Sequence, residues 1–560
     1  MNRSNAILIT SIDQISKIKD LIPDQKEATV VASNYPIIQL NNKNSLEYLM
    51  DYCETNIDLY ALVKEIALKW SKGILSNDPD IGLLLRYRLS ILLSNNIRAY
   101  FSILSLSLKF KHIYVPSTCP QYIQDQLTFF HDKFISYKSN DRFNEAITSS
   151  PNRGKIMFPR QKSYISRLLK LIQLPFKFIL KNKVLVINDW TFPSLKQKKF
   201  LNINKLNIFR SFYIDKSSYN EDVKKLFPDQ LEIKQIRKNL ENIIKKFTSE
   251  KKIINDLVIL FSSIISKEYH ESKNDLRNMY SSVEKMIEFY SPKKIIVPGW
   301  SMSFYQIIYF IFKEKKIPTI MVPDGIYFFM EPYLYPKYNK EIDPIQYYAL
   351  QGKNVIELFT RNLNIDENRI FNIFPPVIKN LKVKRKKILS NIIVLFPTPI
   401  VWSPDSRWDQ RYLYVVEVIR VLKKIYNNDY NINVKVKPGA IDQSKDIAIL
   451  RSILDVNDFK NIDILEGDLD KYLDDAFFCV GQMSSALFEF LYKNVSFYIY
   501  EPPMMGKNNK IINNSIIDKS QISLNTTDLE KSIINKNKAT FKMDNFFTGK
   551  DIDHQNFLDK

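Results

Sequence analysis

The stretch Lys293–Gly325, KKIIVPGWSMSFYQIIYFIFKEKKIPTIMVPDG, decides the fold class. It contains a β-rich run, an apolar helical pattern and a second β-rich run that ends at Pro-Asp-Gly. Strand, helix and strand in this order form a βαβ unit, which builds a parallel sheet. The alternation recurs along the chain, so we predict an α/β protein with parallel sheets. The predicted strands are Ala6–Thr10, Ala28–Ala32, His112–Pro116, Val184–Asn188, Lys294–Pro298, Thr319–Pro323 and Ile392–Pro397.

Length and a basic segment predict the domain organisation. The chain has 560 residues, about four times the length of a typical single domain. The segment Lys379–Lys387, KNLKVKRKK, is strongly basic and precedes a new apolar strand. We therefore predict an N-terminal α/β domain over 1–378, a basic linker over 379–390 and a C-terminal Rossmann-like domain over 391–560. The stretch from about 190 to 290 carries helical apolar spacing and predicts a helical insertion in the first domain.

Charge and composition narrow the possible partners. Lys and Arg exceed Asp and Glu by 81 − 60 = 21, which favours anionic partners. The three cysteines and four histidines are scattered, so we expect neither a disulfide framework nor a metal site, and no cofactor. The longest apolar run near the middle, Ile307–Phe312, is too short to span a membrane. We expect a cytoplasmic protein that does not bind nucleic acid, because no recognition motif is present.

One segment, Pro159–Lys183, suggests a membrane contact. It contains many Lys and Arg residues and no Asp or Glu, with Leu, Ile and Phe between them. Such a segment can lie on an anionic membrane surface, which would make the protein peripheral on the inner face of the cytoplasmic membrane. The alternative is a core helix pair broken at Pro175, with its basic side chains in solvent.

Glycine is rare in this chain, and its placement indicates where ligands bind. Eight of the eleven glycines follow residue 298. Four of them, Gly299, Gly325, Gly439 and Gly481, come directly after strand-like runs. Ligands of open α/β sheets bind at the carboxyl ends of the strands, so these turns outline two candidate rims.

Polar residues at these turns suggest the chemistry. Asp324 can act as a general base for an attacking hydroxyl, and Lys437 can neutralise a leaving phosphate. Ser484 and Ser485 open an apolar helix and can bind an anion, while Glu489 can accept hydrogen bonds from a ribose. Each residue also has a structural alternative: a turn former for Asp324, a solvated lysine for Lys437 and a helix N-cap for the serines.

The order of these elements resembles the GT-B glycosyltransferases of bacterial capsule and surface polysaccharide synthesis. That group includes sialyltransferase and polysialyltransferase families and the related Kdo and glycerophosphate transferases. The resemblance covers about residues 290–505 and is carried by the Pro-Asp-Gly turn, by VKVKPG at Val434–Gly439 and by GQMSSALFEF at Gly481–Phe490. Lys437 stands where the group has a histidine, and Pro323 stands where a second acid is often found.

The resemblance implies a GT-B fold, with two Rossmann-like domains facing across a cleft, and a set of site residues. Asp324 and Lys437 would be catalytic, with Asp324 as the base. The remaining positions would bind the donor: Gly325, Pro438, Gly439, Gly481, Ser484, Ser485 and Glu489.

The implied function is transfer of a sugar from a nucleotide donor to a growing surface polysaccharide. The preferred donor is a CMP-activated acidic sugar of the sialic acid or Kdo type, and the acceptor is an oligosaccharide or lipid-linked glycan. We expect inverting, metal-independent transfer. Two alternatives stay open: a polyol-phosphate transferase with a CDP-glycerol type donor, and a catalytically degenerate scaffold of a glycan assembly complex.

Overall fold

The computed structural model describes most of the chain. The described residues are 5–11, 13–15, 28–41, 46–74, 80–138, 184–187, 200–203, 208, 212, 219, 221–300, 302–323, 331–335, 343–374, 389–400, 402–426, 429–437, 443–459, 461–506, 512, 515–540 and 549. The basic segment Pro159–Lys183 and most of the predicted linker lie outside them. Within the described part, no helix is both long and apolar enough to cross a bilayer.

The first parallel sheet was not anticipated as a separate unit. Its strands are β1 (Ala6–Ile9), β2 (Thr29–Ala32), β3 (Glu47–Tyr48), β4 (Ile113–Pro116) and β5 (Phe134–Tyr137), in the order β3-β2-β1-β4-β5. Its helices are α1 (Tyr35–Leu40), α2 (Leu59–Lys69), α3 (Ile81–Lys109) and α4 (Gln121–Leu127). The strands predicted from the sequence here are confirmed.

The second parallel sheet contains the stretch that decided the fold class. Its strands are β6 (Val184–Ile187), β7 (Phe200–Ile203), β8 (Lys294–Pro298), β9 (Thr319–Val322), β10 (Tyr347–Leu350) and β11 (Ile370–Asn372), in the order β7-β6-β8-β9-β10-β11. Its helices are α5 (Glu221–Leu226), α6 (Ile233–Ile244), α7 (Lys251–Tyr290), α8 (Ser303–Glu314) and α9 (Gly352–Leu363). Helices α5 to α7 lie between β7 and β8, which confirms the predicted helical insertion.

The third parallel sheet has the strand order of a Rossmann fold. Its strands are β12 (Asn391–Leu395), β13 (Asn431–Lys435), β14 (Asp463–Leu465), β15 (Ala476–Gly481), β16 (Ser496–Tyr500) and β17 (Ile522–Ser523), in the order β14-β13-β12-β15-β16-β17. Its helices are α10 (Arg411–Tyr426), α11 (Gln443–Val456), α12 (Asp470–Leu473), α13 (Ala486–Tyr492) and α14 (Thr526–Ile534). The order reverses between β12 and β15, where such sheets bind ligands. With the second sheet, it confirms the predicted GT-B class.

Helix α3 holds the loop that follows β9. Arg86 is 2% exposed, and its Nη1 donates to the carbonyl oxygens of Tyr333 at 3.1 Å and Tyr335 at 3.5 Å. A buried guanidinium requires such acceptors, because its removal from water is costly. The loop at residues 331–335 is therefore fixed to α3.

The same helix holds the loop that follows β12. The Ser94 hydroxyl donates to the Trp402 carbonyl oxygen at 2.8 Å, and the Arg98 guanidinium donates to the Pro404 carbonyl oxygen at 2.9 Å. A small apolar cluster joins α2, α3 and both loops. We call it the interloop cluster, and it consists of Tyr60, Ala67, Ile91, Tyr333, Leu334, Ile400 and Trp402. The loop at residues 331–335 and the loop after β12 therefore meet beside α3.

A partly buried carboxylate ties the first sheet to the third. Asp409 accepts hydrogen bonds from the Tyr48 hydroxyl at 2.8 and 2.9 Å and from the Tyr35 amide at 2.8 Å. Burial raises the pKa of the Asp409 carboxyl above its usual range, and these donors partly offset that rise. Arg407 adds an ion pair with Asp51 at 2.6 Å.

Near its end, the chain returns to the second sheet. Gly549 has a φ of +127°, and a Cβ placed on it would lie 2.6 Å from the Ile373 carbonyl carbon and 2.9 Å from the Asn372 carbonyl oxygen. Both neighbours are backbone atoms at the end of β11, so they cannot move aside cheaply. Only glycine fits this contact.

We predict that Gly549→Ala lowers the melting temperature more than Gly73→Ala does. Gly73 also has a positive φ, +78°, but a Cβ there would meet nothing within 4 Å. Both variants pay the cost of a left-handed alanine, about 1–2 kcal/mol, and only Gly549→Ala adds the backbone clash. Differential scanning fluorimetry measures both. Equal melting temperatures would contradict the contact between the chain end and β11.

Candidate functional site

The site lies at the carboxyl edge of the third sheet. Strands β12, β13, β15 and β16 are mutually parallel, so their carboxyl ends meet at one edge. The residues that follow these strands include Thr398, Lys437, Gln482 and Glu501. The edge is therefore built from four separate parts of the chain.

Glu501 organises the turn after β15. It is fully buried and accepts hydrogen bonds from the Met483 backbone amide and from the Gln482 side-chain amide, the latter at 3.2 Å. The Gln482 side-chain oxygen in turn accepts from the Thr398 amide at 2.9 Å. This chain of hydrogen bonds links the ends of β16, β15 and β12 across the switch point, and it fixes the backbone that leads into Ser484.

The two predicted serines lie at this turn. Ser484 is partly exposed and Ser485 is exposed, and neither hydroxyl bonds to another described residue. Ser485 occupies the N-cap position of α13 without a side-chain capping hydrogen bond, so the capping alternative is not what the structure shows. Helix α13 has only seven residues. Anion binding by the two hydroxyls stays a prediction.

Gly481 has a packing role at the switch point. A Cβ on Gly481 would lie 2.9 Å from Leu395 Cδ1 and 3.0 Å from Leu395 Cβ. The missing side chain therefore lets β15 end close beside the last residue of β12. This packing explains why residue 481 is a glycine without requiring a direct ligand contact. The sequence analysis had instead predicted that Gly481 binds the donor.

Two lysines lie near the carboxyl end of β13: Lys435 is its last residue, and Lys437 follows two residues later. Lys437, the predicted catalytic cation, is exposed. Lys435 is only 4% exposed, and its ammonium donates to the Val436 carbonyl oxygen. Burial lowers the pKa of Lys435, and the nearby acids Asp468, Glu489 and Glu466 oppose that change. Lys435 is a site cation that the sequence analysis missed. Pro438 and Gly439, the predicted donor-binding residues after Lys437, lie outside the described residues.

Glu489 lies on α13 near the buried lysine. Burial raises the pKa of its carboxyl to about 7, and the charges of Asp470 and Asp468 add to the rise while Lys435 and Lys493 oppose it. Lys493 forms ion pairs with Asp470 and, at 3.0 Å, with Asp474. Despite this acidic surrounding, the described residues include no group of three or more His, Cys, Asp or Glu side chains placed to hold a metal.

The second sheet supplies another polar edge. Gly299, after β8, has a φ of +78°, and a Cβ there would meet nothing within 4 Å. Trp300 stacks on Tyr335 with ring centroids 3.9 Å apart, and the Gln351 side-chain amide donates to the Pro323 carbonyl oxygen at 3.5 Å. The predicted residues Asp324 and Gly325 follow Pro323 directly but lie outside the described residues. Their roles stay predictions.

The structure thus brings some predicted residues together and adds others. Lys437, Gly481, Ser484, Ser485 and Glu489 all belong to the carboxyl edge of the third sheet or to the helix after it. The sequence analysis missed four participants: Thr398, Lys435, Gln482 and Glu501. One signal could have found Glu501, since it is a lone acid directly after five strand residues, SFYIY.

Comparisons with known proteins give distant structural likenesses. No protein-family model matches the chain, and no curated protein sequence matches it. A UDP-GlcNAc 2-epimerase from Methanocaldococcus jannaschii, in complex with UDP-GlcNAc and UDP, is 13% identical with a TM-score of 0.33, covering 50% of this chain and 78% of that one. The UDP-GlcNAc 2-epimerase from Neisseria meningitidis, bound to UDP-GlcNAc, is 12% identical with a TM-score of 0.33. The match covers 51% of this chain and 81% of that one.

A wall teichoic acid polymerase, TagF, is 12% identical with a TM-score of 0.28, covering 47% of this chain and 64% of that one. TM-scores this low support no inference about the present chain. The fold assignment therefore follows from strand order, and the site from its own geometry.

We predict that Glu489→Gln stabilises the protein at pH 8 and has little effect at pH 5. The folded pKa of about 7 lies above the ordinary 4.5, so the carboxyl contributes stability below about pH 4.5 and that contribution is lost as the pH rises through 7. Glutamine cannot ionise, so the variant avoids the free-energy cost of ionising the partly buried carboxyl. That cost is at most about 3 kcal/mol. Thermal melts between pH 5 and 8 measure the difference. A stabilisation that is the same at every pH would show that the carboxyl does not titrate in this range.

Proposed function

We propose that the protein is a glycosyltransferase that uses a nucleotide-activated sugar. One observation carries the proposal: the switch point of a Rossmann-ordered sheet is built by hydrogen-bonded Thr398, Gln482 and Glu501, with open serine hydroxyls and lysines beside it. Such an edge suits a nucleotide phosphate, because ligands of doubly wound sheets bind at the switch point. The motif resemblance to GT-B transferases of surface polysaccharides supports the same conclusion.

In this proposal the third sheet binds the donor. The Ser484 and Ser485 hydroxyls donate to the phosphate, and Lys437 compensates its charge as the bond to the sugar breaks. Glu489 accepts hydrogen bonds from the ribose. Glu501 does not touch the donor and instead holds the turn that presents the serines. The surplus of 21 basic residues favours the approach of an anionic donor.

The second sheet is proposed to bind the acceptor. Asp324 follows the end of β9 by two residues and would remove the proton from the attacking hydroxyl. The contact between loops at the interloop cluster, where the Tyr333 and Trp402 rings lie 6.2 Å apart, supports this arrangement because it brings both carboxyl edges together. The hydroxyl oxygen then attacks the anomeric carbon, and the nucleotide leaves with the bond's electron pair.

The preferred donor is a CMP-activated acidic sugar, and the preferred acceptor is a growing surface glycan. Both preferences come from the resemblance of the Asp-Gly, Lys-Pro and Ser-Ser motifs to those of the GT-B transferases. Lys437 keeps the positive charge of the usual histidine but, with an ordinary pKa near 10.4, it does not donate a proton readily at neutral pH. It therefore acts electrostatically. Membrane contact through Pro159–Lys183 is part of the proposal.

Nucleotide titration tests the donor half. We predict that CMP binds the parent protein and that the double variant Ser484→Ala, Ser485→Ala weakens binding by about tenfold or more, as expected for lost charge-assisted hydrogen bonds. Ser452→Ala, an exposed serine on α11 whose hydroxyl donates to its own helix, is the control and should bind like the parent.

Isothermal titration calorimetry with CMP, CDP, UDP and GDP gives the comparison. Binding of UDP or GDP without CMP would reject the acidic-sugar donor, and productive binding of CDP-glycerol would favour the polyol-phosphate alternative. If none of the four nucleotides binds, the transferase proposal fails and the scaffold alternative gains.

A separate substitution tests the base. Asp324→Asn should leave CMP affinity unchanged and lower turnover by about 10² or more, because an amide cannot accept the acceptor's proton. Release of CMP from CMP-N-acetylneuraminic acid in the presence of a sialylated oligosaccharide gives the rate. Turnover within a few-fold of the parent would exclude Asp324 as the base.

A further inference from the structure

The carboxyl-terminal end of helix α3 is basic and carries an exposed leucine. Helix α3 holds two loops through Arg86, Ser94 and Arg98, which lie in its first two thirds. Its last turn contains Leu108, whose side chain is 63% exposed, and the exposed Lys109. Arg86 and Leu108 are 22 residues apart, or about 33 Å along the axis at 1.5 Å per residue. This end of α3 therefore lies far from the loops that the helix holds.

Helices α3 and α7 run antiparallel, which brings a lysine-rich turn to the same end. Arg88 of α3 pairs with Glu268 of α7, and further along α3 the Tyr100 hydroxyl donates to the Asp256 carboxylate at 2.9 Å. The contacts thus move toward the start of α7 as α3 approaches its own end. The turn between α6 and α7 and the first turn of α7 lie just beyond these contacts. They contribute four exposed lysines: Lys245, Lys246, Lys251 and Lys252.

The amino ends of strands β4 and β5 add to the same surface. The Phe130 ring, just before β5, lies 5.8 Å from the Tyr100 ring, and the Lys252 ammonium lies 5.4 Å from the centre of the Phe130 ring. Strand β5 carries Ile135, which is 40% exposed, and the exposed Lys111 precedes β4. We call this surface the basic end, and it consists of Leu108, Lys109, Lys111, Lys133, Ile135, Lys245, Lys246, Lys251 and Lys252.

Positive charge predominates at the basic end. The stretches of chain that form it are 108–111, 131–135 and 245–252. They contain seven lysines and two acids, Asp132 and Glu250. Asp132 is itself paired with the preceding histidine at 2.9 Å, and among the lysines Lys245 pairs with Glu241 one turn earlier. Most of the lysine charge is therefore not compensated within this surface, and it attracts an anionic partner.

The exposed leucine favours a lipid surface over a soluble polyanion. Leu108 has the largest exposed fraction among the large hydrophobic side chains of the described residues, and it lies beside the lysines. Proteins that lie on anionic membranes place basic side chains against the headgroups and apolar side chains among the acyl chains. A soluble polyanion does not remove a leucine side chain from water, whereas a bilayer does. Charge and leucine together therefore fit an anionic membrane.

We propose that the basic end docks on an anionic membrane, with its ammonium groups at the headgroups and Leu108 inserted among the acyl chains. This surface is distinct from Pro159–Lys183. The inference goes beyond the proposed function and does not depend on the identity of the donor or the acceptor. Because α3 leads from the basic end to the two loops that it holds, docking leaves those loops clear of the bilayer.

Sedimentation with vesicles of phosphatidylglycerol and phosphatidylcholine tests the role of charge. A variant with four lysines of the basic end replaced should bind these vesicles about 100-fold more weakly than the parent at low salt, as expected when four such charges leave an anionic surface. The substitutions are Lys111→Gln, Lys133→Gln, Lys246→Gln and Lys251→Gln.

A matched control removes the same number of charges elsewhere. It replaces four exposed lysines outside the basic end and should bind vesicles like the parent: Lys313→Gln, Lys353→Gln, Lys519→Gln and Lys531→Gln. A further variant neutralises the other basic segment by Arg167→Gln, Lys170→Gln, Lys177→Gln and Lys181→Gln, and it should retain the binding that the basic end supplies.

Leu108→Gln tests insertion into the bilayer. It should weaken vesicle binding by about tenfold, because a leucine side chain no longer leaves water. This loss should persist at high salt, where the contribution of the lysines is screened. Both the lysine variant and Leu108→Gln should melt at the parent temperature, since these side chains are exposed. A variant that melts several degrees lower would show that they pack within the fold, which contradicts docking.

Three outcomes overturn the inference: no sedimentation of the parent with these vesicles at low salt, an equal loss of binding in the matched control, or a loss confined to the Pro159–Lys183 variant. If the lysine variant loses binding and Leu108→Gln does not, the surface takes a soluble polyanion and the membrane assignment is wrong. Vesicle binding requires no nucleotide, so its failure is distinguishable from failure of the proposed function, which CMP titration decides.

Discussion

The two loops that border the site are held by one helix. Arg86 bonds the loop after β9, and Ser94 and Arg98 bond the loop after β12. These positions lie 8 and 12 residues apart, or about 12 and 18 Å along the axis at 1.5 Å per residue. Because all three side chains bond to backbone carbonyls, the spacing is independent of the loop sequences. Helix α3 therefore sets how far apart these two loops lie.

The first sheet makes this arrangement rigid. Helix α3 connects to β4 of that sheet, and the partly buried Asp409 of the third sheet bonds to Tyr35 at the start of α1 and to Tyr48 at the end of β3. A carboxyl buried with raised pKa is tolerated only where donors surround it. The first sheet thus contributes none of the proposed site residues, yet it fixes the helix that spaces the two halves.

The sequence predicted the strands but not which of them pair with one another. Short Val- and Ile-rich runs such as Ala6–Thr10 define strands locally, but β1 pairs with β4 across more than a hundred residues, which no local pattern encodes.

The candidate site shows the same limit of prediction from sequence. Lys437 and the serines were found because they sit in contiguous motifs, whereas Gln482 and Glu501 are 19 residues apart and become partners only when β15 and β16 pair. Lys435 ends β13 and Lys437 follows two residues later, and the sequence does not show that the first is buried and the second exposed.

The difference in burial between Lys435 and Lys437 determines which of the two can interact with a phosphate. Lys435 is inside the edge, donates to a backbone carbonyl and is surrounded by the charges of Glu466, Asp468 and Glu489. Its positive charge is therefore compensated before any ligand arrives. Lys437 is exposed, so its ammonium can turn toward an incoming anion at little desolvation cost. In the proposed donor site the electrostatic role is therefore assigned to Lys437, while Lys435 stabilises the carboxylate of Glu489 and limits the rise of its pKa.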